Sequence, residues 1–228
     1  MSLELNETSI DIPLGTITAL RSAATENAPR VLALHGWLDN AASFIPLAAH
    51  LAGIELVAVD LPGHGRSVHL PPGAIYTFEM AVHHVLDIAD ALGWERFTLL
   101  GHSMGAGIAS LVAAACPQRV ERLVCIEALG GLADAAENTA LRMRESGLMV
   151  PTWMRPVDAQ VTTICPGIEC PTRVVFADPA QPYLPDDVRR RYVDALPRGE
   201  LLALPGTHHL HMETPQAVAE WIGSFLAR

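Results

Sequence analysis

The segment LLGHSMGAG, residues 99–107, is the most informative part of this sequence about its fold. It contains the pattern G-x-S-x-G at Gly101, Ser103 and Gly105, between an apolar run and a segment of small, helix-compatible residues. In a strand–turn–helix context, the glycines of this pattern let the strand and the helix approach closely, and the serine hydroxyl stands at the helix N-terminus. The free N–H groups there favour developing negative charge. The stretch therefore predicts a nucleophile, Ser103, at the end of a buried strand.

Apolar runs on both sides of this stretch predict further strands of the same sheet. Short β-branched or aliphatic runs that end in glycine or polar residues alternate with longer helical candidates, as in α/β proteins. We therefore expect one domain, residues 1–228, with a mostly parallel, eight-stranded sheet and helices on both faces. The predicted strands lie in SIDIP (9–13), TITALR (16–21), RVLALHG (30–36), ELVAVDLPG (55–63), FTLLGHS (97–103), ERLVCIEALGG (121–131), TRVVFAD (172–178) and ELLALPG (200–206). The predicted helices are residues 42–52, 78–92, 104–115, 186–195 and 214–227.

Residues 130–170 interrupt this alternation. The segment is too long for a simple crossover and carries Pro, Met and Trp in irregular order. Ligands of open α/β folds bind at the carboxyl edge of the sheet. We therefore expect a short cap, or lid, insertion over that edge.

The amino-acid composition argues against several classes of binding partner. The formal charge is −10, from 25 acidic residues against 15 Lys and Arg, which argues against nucleic acid or an anionic membrane as partner. No apolar run approaches the roughly 20 residues of a membrane span, and the N-terminus does not resemble a signal peptide. Because the four cysteines lack paired C-x2-C spacing, we expect reduced thiols and a cytoplasmic location. The oligomeric state cannot be inferred.

Three motifs together resemble a known superfamily. LALHGWLDNAASF (32–44), AVDLPGHGRS (58–67) and the serine stretch resemble α/β-hydrolases over nearly the whole chain, and the first two are similar to the serine-hydrolase-like esterase branch. The resemblance implies an oxyanion hole formed by the backbone N–H groups of Trp37 and Met104. It also implies that the Trp37 side chain lines the acyl site.

The catalytic base is expected in LPGTHHLHMETP, residues 204–215. In the superfamily, an acidic residue lies five positions after the histidine that acts as the catalytic base. Glu213 lies five positions after His208 and four after His209. The resemblance thus favours His208. Zinc binding by the H-H-x-H pattern is a weaker interpretation, because no further carboxylate or cysteine ligand pattern accompanies it. We predict neither a metal nor another cofactor.

Two carboxylates compete for the role of catalytic acid. In RVVFADPAQPYLP (173–185), Asp178 comes earlier than the aspartate that most superfamily members carry after strand seven, and Gln181 lies near the expected position. Glu127 instead ends a strand of apolar residues, 24 positions after Ser103, where a carboxylate is costly unless paired. Some superfamily members carry their acid at this place. We therefore favour Glu127, with Asp178 as the alternative.

These residues predict a serine hydrolase that cleaves small or short-chain carboxylic esters or thioesters through an acyl-enzyme. Four cap side chains are candidates for the substrate site: Met143, Met149, Trp153 and Met154. Two alternatives stay open. One is another activity of the same triad, such as perhydrolysis, C–C bond hydrolysis or acyl transfer. The other is a non-catalytic protein that binds a small ligand.

Overall fold

The computed structural model describes residues 2–23, 26–128, 163–182 and 184–228. Eight strands of these ranges form a single sheet in the order β1-β2-β4-β3-β5-β6-β7-β8. Strand β2 is antiparallel to both of its neighbours, and all other neighbouring strands are parallel. The expected mostly parallel, eight-stranded sheet is therefore confirmed. The strands are β1 (Leu5–Ile12), β2 (Gly15–Ser22), β3 (Arg30–Leu34), β4 (Glu55–Val59), β5 (Phe97–His102), β6 (Val120–Ile126), β7 (Thr172–Asp178) and β8 (Gly199–Pro205).

Helices cover both faces of the sheet. Because side chains alternate along a strand, Leu32 and Leu34 of β3 join one apolar cluster with α2 (Phe78–Ala91) and α3 (Met104–Ala115), while Val31 and Ala33 join a second cluster with α6 (Pro215–Leu226). Burial on both faces explains why these strands are apolar runs rather than alternating patterns. The helices of the described ranges are α1 (Ile45–Ala48), α2 (Phe78–Ala91), α3 (Met104–Ala115), α4 (Asp186–Asp194), α5 (Leu210–Glu213) and α6 (Pro215–Leu226).

One predicted helix is shorter than expected. Residues 42–52 do not form a continuous helix: a 3₁₀ turn, Ala41–Phe44, precedes the single turn of α1. Asn40 caps the 3₁₀ turn by accepting a hydrogen bond from the Ala42 amide. Pro46 has no N–H to donate to the Ala42 carbonyl, which instead accepts from Ile45 in the tighter 3₁₀ pattern.

The predicted cap lies largely outside the described residues. Its final part is described: a 3₁₀ turn, Cys165–Gly167, leads into β7, and Cys165 and Ile168 are fully buried in the core cluster that contains α3. All four cysteines are free thiols. Within the described ranges, no helix combines the length and the apolar character needed to cross a bilayer.

The register of the sheet determines what meets at its carboxyl edge. His102, the last residue of β5, is paired with Ile126, the last residue of β6, so Ser103 and Glu127 follow side by side. On the other side of β5, Leu34 of β3 is paired with Gly101, which brings the loop after β3 next to Ser103.

Candidate active site

Ser103 occupies a strained turn between β5 and α3. Its φ of 51° and ψ of −116° lie in a region that residues with a side chain rarely adopt. Its amide donates to the Ile126 carbonyl at 2.9 Å, and its side chain is almost fully buried. A Cβ atom at Gly101 would collide with the Ala106 backbone, and one at Gly105 would collide with the Leu34 carbonyl. The two glycines therefore allow the close strand–helix contact that keeps Ser103 at the N-terminus of α3.

His208 lies in the loop between β8 and α5 and reaches both other predicted triad residues. Its Nε2 is 2.9 Å from the Ser103 Oγ, and its Nδ1 is 3.2 Å from the Glu127 Oε2. In the neutral tautomer with the proton on Nδ1, the ring donates to the carboxylate and accepts from the serine hydroxyl. The neighbouring His209 is exposed and makes neither of these contacts. The geometry thus brings together Ser103, His208 and Glu127.

Glu127 is fully buried directly after β6, with a left-handed φ of 57°. Its second oxygen, Oε1, accepts a hydrogen bond from the Ala177 amide of β7, so both carboxylate oxygens have partners. Asp178, the alternative acid, is exposed at the end of β7, and its carboxylate makes no hydrogen bond within the described ranges. Only its backbone carbonyl is engaged, by the Gly206 amide at 3.3 Å. The structure therefore brings Glu127, and not Asp178, to the histidine.

Arg189 is part of this site, and the sequence interpretation missed it. Its guanidinium Nη2 lies 3.7 Å from the Glu127 Oε1, and the side chain is only 3% exposed. Nη1 donates to the Ala177 carbonyl, and the guanidinium stacks on the Phe176 ring at 4.6 Å. A buried carboxylate needs a compensating charge, and Arg189 supplies it. Helical periodicity could have identified Arg189 as a buried residue, because it lies on the same face of α4 as Tyr192 and Val193, at i, i+3 and i+4.

Trp37 and Met104, the predicted oxyanion-hole residues, lie at the same edge of the sheet. Trp37 follows His35 and Gly36 after β3, and Met104 is the first residue of α3. Neither N–H has a hydrogen-bond acceptor among the residues that the structure describes. The Trp37 side chain is half-buried. One of these N–H groups directly follows Ser103 and the other lies in the loop after the neighbouring strand, and donors without an acceptor are what an oxyanion needs.

Two buried polar residues hold the loop that carries Trp37. His35 Nδ1 donates to the Gly36 carbonyl at 2.7 Å, and its Nε2 accepts from the Leu61 amide at 2.9 Å. Asp60 accepts from the amides of Ala41 at 2.8 Å and Arg66 at 3.0 Å. The loops after β3 and β4 are thereby tied to each other. The motifs HGWLDNAASF and DLPGHGRS are thus two parts of one hydrogen-bonded unit.

Acidification is expected to destabilise the protein through His35. Burial, and secondarily the nearby His64, lower the pKa of His35 to about 4, while the hydrogen bond to the Gly36 carbonyl and the charges of Asp39 and Asp60 act in the opposite direction. The unfolded chain takes up this proton near pH 6.5, so stability contributed by the neutral ring is complete above about pH 6.5 and is lost as the pH falls towards about 4. Between about pH 7.5 and 5 we expect a loss of about 2 kcal/mol in the free energy of unfolding from this residue.

Urea unfolding of the wild type and His35→Gln at both pH values tests this expectation. The variant should be less stable at the higher pH, because it disturbs the hydrogen bonds of the ring. Its further loss on acidification should be about 2 kcal/mol smaller than that of the wild type. Equal losses in the two proteins would contradict the assignment.

The remaining predicted pocket residues cannot be placed. Met143, Met149, Trp153 and Met154 lie outside the described residues. Their predicted contact with the substrate stays a prediction.

Comparison with known proteins gives a family match. Residues 29–162 match the protein family described as alpha/beta hydrolase fold. This segment covers the loop of Trp37, the Ser103 turn and Glu127.

Curated relatives resemble the chain over part of its length. A serine hydrolase-like protein of Dictyostelium discoideum is 45% identical over 130 residues, which are 55% of this chain and 36% of that protein. A serine hydrolase-like protein of Danio rerio is 36% identical over 141 residues, 61% of this chain and 43% of its own length. The matched part of the chain thus spans about two fifths of the length of these relatives.

A solved structure matches the fold over nearly the whole chain. A hypothetical protein of Pseudomonas aeruginosa PAO1 superimposes with a TM-score of 0.83 and 32% identity, covering 97% of this chain and 99% of the other.

Proposed function

Since the chain belongs to the alpha/beta hydrolase fold family, we propose that it is a serine hydrolase that cleaves carboxylic esters or thioesters through an acyl-enzyme. The observation that carries this proposal is the continuous hydrogen-bonded series from the Ser103 Oγ to the His208 ring at 2.9 Å and on to the Glu127 carboxylate at 3.2 Å. Such a series is the arrangement that makes a serine hydroxyl nucleophilic.

In the proposed acylation step, the Ser103 Oγ attacks the substrate carbonyl carbon while His208 Nε2 takes the hydroxyl proton. Glu127 stabilises the resulting imidazolium through its contact with Nδ1 and does not itself become protonated. The tetrahedral oxyanion accepts hydrogen bonds from the Trp37 and Met104 amides. His208 then protonates the leaving alkoxide or thiolate, and the bond from the carbonyl carbon to the leaving group breaks.

Deacylation repeats these steps with water as the nucleophile. Water loses a proton to His208 Nε2 as its oxygen attacks the acyl carbon. The proton returns to the Ser103 Oγ as the acid product leaves. The proposed cycle uses no cofactor, because the proton that leaves Ser103 in the first half is replaced by one from water in the second.

Small or short-chain acyl groups are the proposed substrates. The predicted cap is brief for this family, whose lids often contribute several helices, so less chain is present to enclose a long acyl group. The location we propose is cytoplasmic, and the four free thiols support a reducing compartment.

A series of p-nitrophenyl esters from acetate to octanoate tests the proposal, together with labelling by a fluorophosphonate. We expect kcat/KM to be highest for the shortest esters. Mass spectrometry of the labelled protein should find the adduct on the peptide that contains Ser103. If no ester is turned over and no adduct forms, the proposal is wrong and the non-catalytic interpretation replaces it. If octanoate is the best substrate, the acyl preference is wrong.

A further inference from the structure

A second polar cluster lies beside the Ser103 turn, and no step of the proposed reaction uses it. It consists of Asp39 from the loop after β3, His102 from the end of β5 and His211 from α5. One potential ligand atom of each side chain lies within 4.8 Å of the others. The rings of His102 and His211 have centroids 4.2 Å apart. Side chains that can bind a metal therefore come together from three separate parts of the chain.

The cluster contains buried polar atoms that have no protein partner. The Asp39 Oδ2, the His102 Nδ1 and both ring nitrogens of His211 are buried without a hydrogen bond among the described residues. His102 is 1% exposed and His211 is fully buried. An unsatisfied buried polar group costs about 1–3 kcal/mol. Four such atoms in one place indicate that a group absent from the polypeptide satisfies them.

The tautomer of His102 is determined by its other nitrogen. The Nε2 lies 2.8 Å from the His208 carbonyl oxygen, which can only accept, so Nε2 carries the proton. The Nδ1 therefore carries a lone pair that has no hydrogen-bond partner among the described residues. Metal-binding histidines commonly donate their second N–H to a backbone carbonyl in this way.

The surroundings of the His102 Nδ1 and the Asp39 Oδ2 are compatible with a ligand. A Cβ atom at Gly36 would lie only 2.9 Å from the His102 Nδ1, so the glycine keeps that side of the ring open. The Asp39 Oδ1 accepts from the Asn40 amide at 2.8 Å, while its Oδ2 has no partner within the described ranges.

We propose that the Asp39 Oδ2, the His102 Nδ1 and a ring nitrogen of His211 bind one Zn²⁺ ion, with a fourth position open to water. Two imidazoles and a carboxylate suit this borderline-soft cation. Zinc bonds of about 2.0–2.1 Å in a tetrahedral site hold ligand atoms about 3.4 Å apart. The three side chains already offer ligand atoms within 4.8 Å of one another, and binding would require them to approach further.

This site differs from the H-H-x-H interpretation of the sequence. The His208 ring contacts Ser103 and Glu127, and His209 is exposed, so only His211 of that motif takes part. The carboxylate that the motif lacked comes from Asp39, far away in sequence. The ion would join the loop of Trp37, the Ser103 turn and the loop of His208. It would stabilise the fold by a free energy that rises with the logarithm of the zinc concentration divided by the dissociation constant. Zinc binding at these three side chains does not depend on ester hydrolysis.

Zinc titration of the metal-stripped protein tests the proposal. Isothermal titration calorimetry of the full chain with ZnCl₂ should give one ion per chain, and thermal unfolding should show a higher Tm with zinc. Asp39→Asn keeps the size and an acceptor oxygen at a partly exposed position, and His211→Gln removes the second ligand. Each should weaken zinc binding by at least about 10-fold, since loss of even an outer-shell partner costs about 10–100-fold. His209→Gln is the matched control in the same loop and should bind zinc as the wild type does.

Three results would overturn the proposal. If the wild type binds no zinc at millimolar concentration, ordered water satisfies the cluster instead. Unchanged affinity in both Asp39→Asn and His211→Gln would show a site elsewhere on the surface. Affinity that is lost in His208→Ala but kept in Asp39→Asn would show capture by the triad imidazole. Ser103→Ala should keep zinc binding, so a failure of the esterase proposal is distinguishable from a failure of this one.

Discussion

Ser103→Ala is expected to lower kcat for p-nitrophenyl acetate by about 10⁴- to 10⁶-fold. Without the hydroxyl no acyl-enzyme forms, and His208 loses the partner that lies 2.9 Å from its Nε2. The remaining rate would come from substrate binding and from the Trp37 and Met104 amides, which the substitution leaves in place. Steady-state kinetics, with the release of p-nitrophenol as the readout, measures the loss.

Ser110→Ala is the matched control for this experiment. Ser110 is also buried, and it lies on α3, where its hydroxyl donates to the Ala106 carbonyl at 2.8 Å rather than to the site. We expect its kcat to stay within a few-fold of the wild-type value. Thermal unfolding of both variants shows whether each is folded. A folded Ser103→Ala protein with wild-type activity would mean that another group is the nucleophile.

The second large effect is expected at Glu127. Glu127→Gln should lower kcat by about 10³- to 10⁴-fold, because a neutral amide cannot stabilise the His208 imidazolium. The two Glu127 oxygens face the Ala177 N–H and the His208 Nδ1, and both of these donors need an acceptor. A Gln side chain has only one acceptor oxygen, so its NH₂ group would face one of the donors. The Arg189 guanidinium loses its compensating charge as well.

Asp178→Asn is the control that separates the two candidate acids. Because its carboxylate is exposed and contacts neither histidine nor serine, we expect kcat within a few-fold of the wild-type value. The two variants are measured with the same ester, and urea unfolding corrects for lost stability in Glu127→Gln. The assignment of the acid is wrong if Asp178→Asn is inactive while Glu127→Gln stays near the wild-type rate.

Local patterns were sufficient to predict the sheet and the turn at Ser103. Apolar runs that end in glycine or polar residues matched strands, and the helices predicted at residues 78–92 and 104–115 agree closely with α2 and α3. The resemblance to α/β-hydrolases is confirmed by the family match. Glu127 stood out because a carboxylate inside an apolar strand end needs a partner, and the structure provides His208 and Arg189 as partners.

Features that depend on how distant loops meet could not be predicted. Three consecutive arginines, residues 189–191, precede Tyr192, and only the phase of α4 determines that Arg189 is the buried one. The cluster of Asp39, His102 and His211 arises because β3 and β5 are neighbours and the loop after β8 reaches them. The spacing of residues within any single motif therefore could not predict this cluster.

The position of the proposed acid directly after β6 has a consequence for how the sequence can vary. In the proposed triad, two members follow strands whose separation is set by a ladder of main-chain hydrogen bonds, so their distance does not rely on a loop. In the proposed mechanism, residues 179–182 and 184–185 carry no catalytic group, and the buried Leu184 packs into the apolar core. We expect natural variants to differ freely in length and polarity there, while the residues on either side of Ile126 stay nearly invariant.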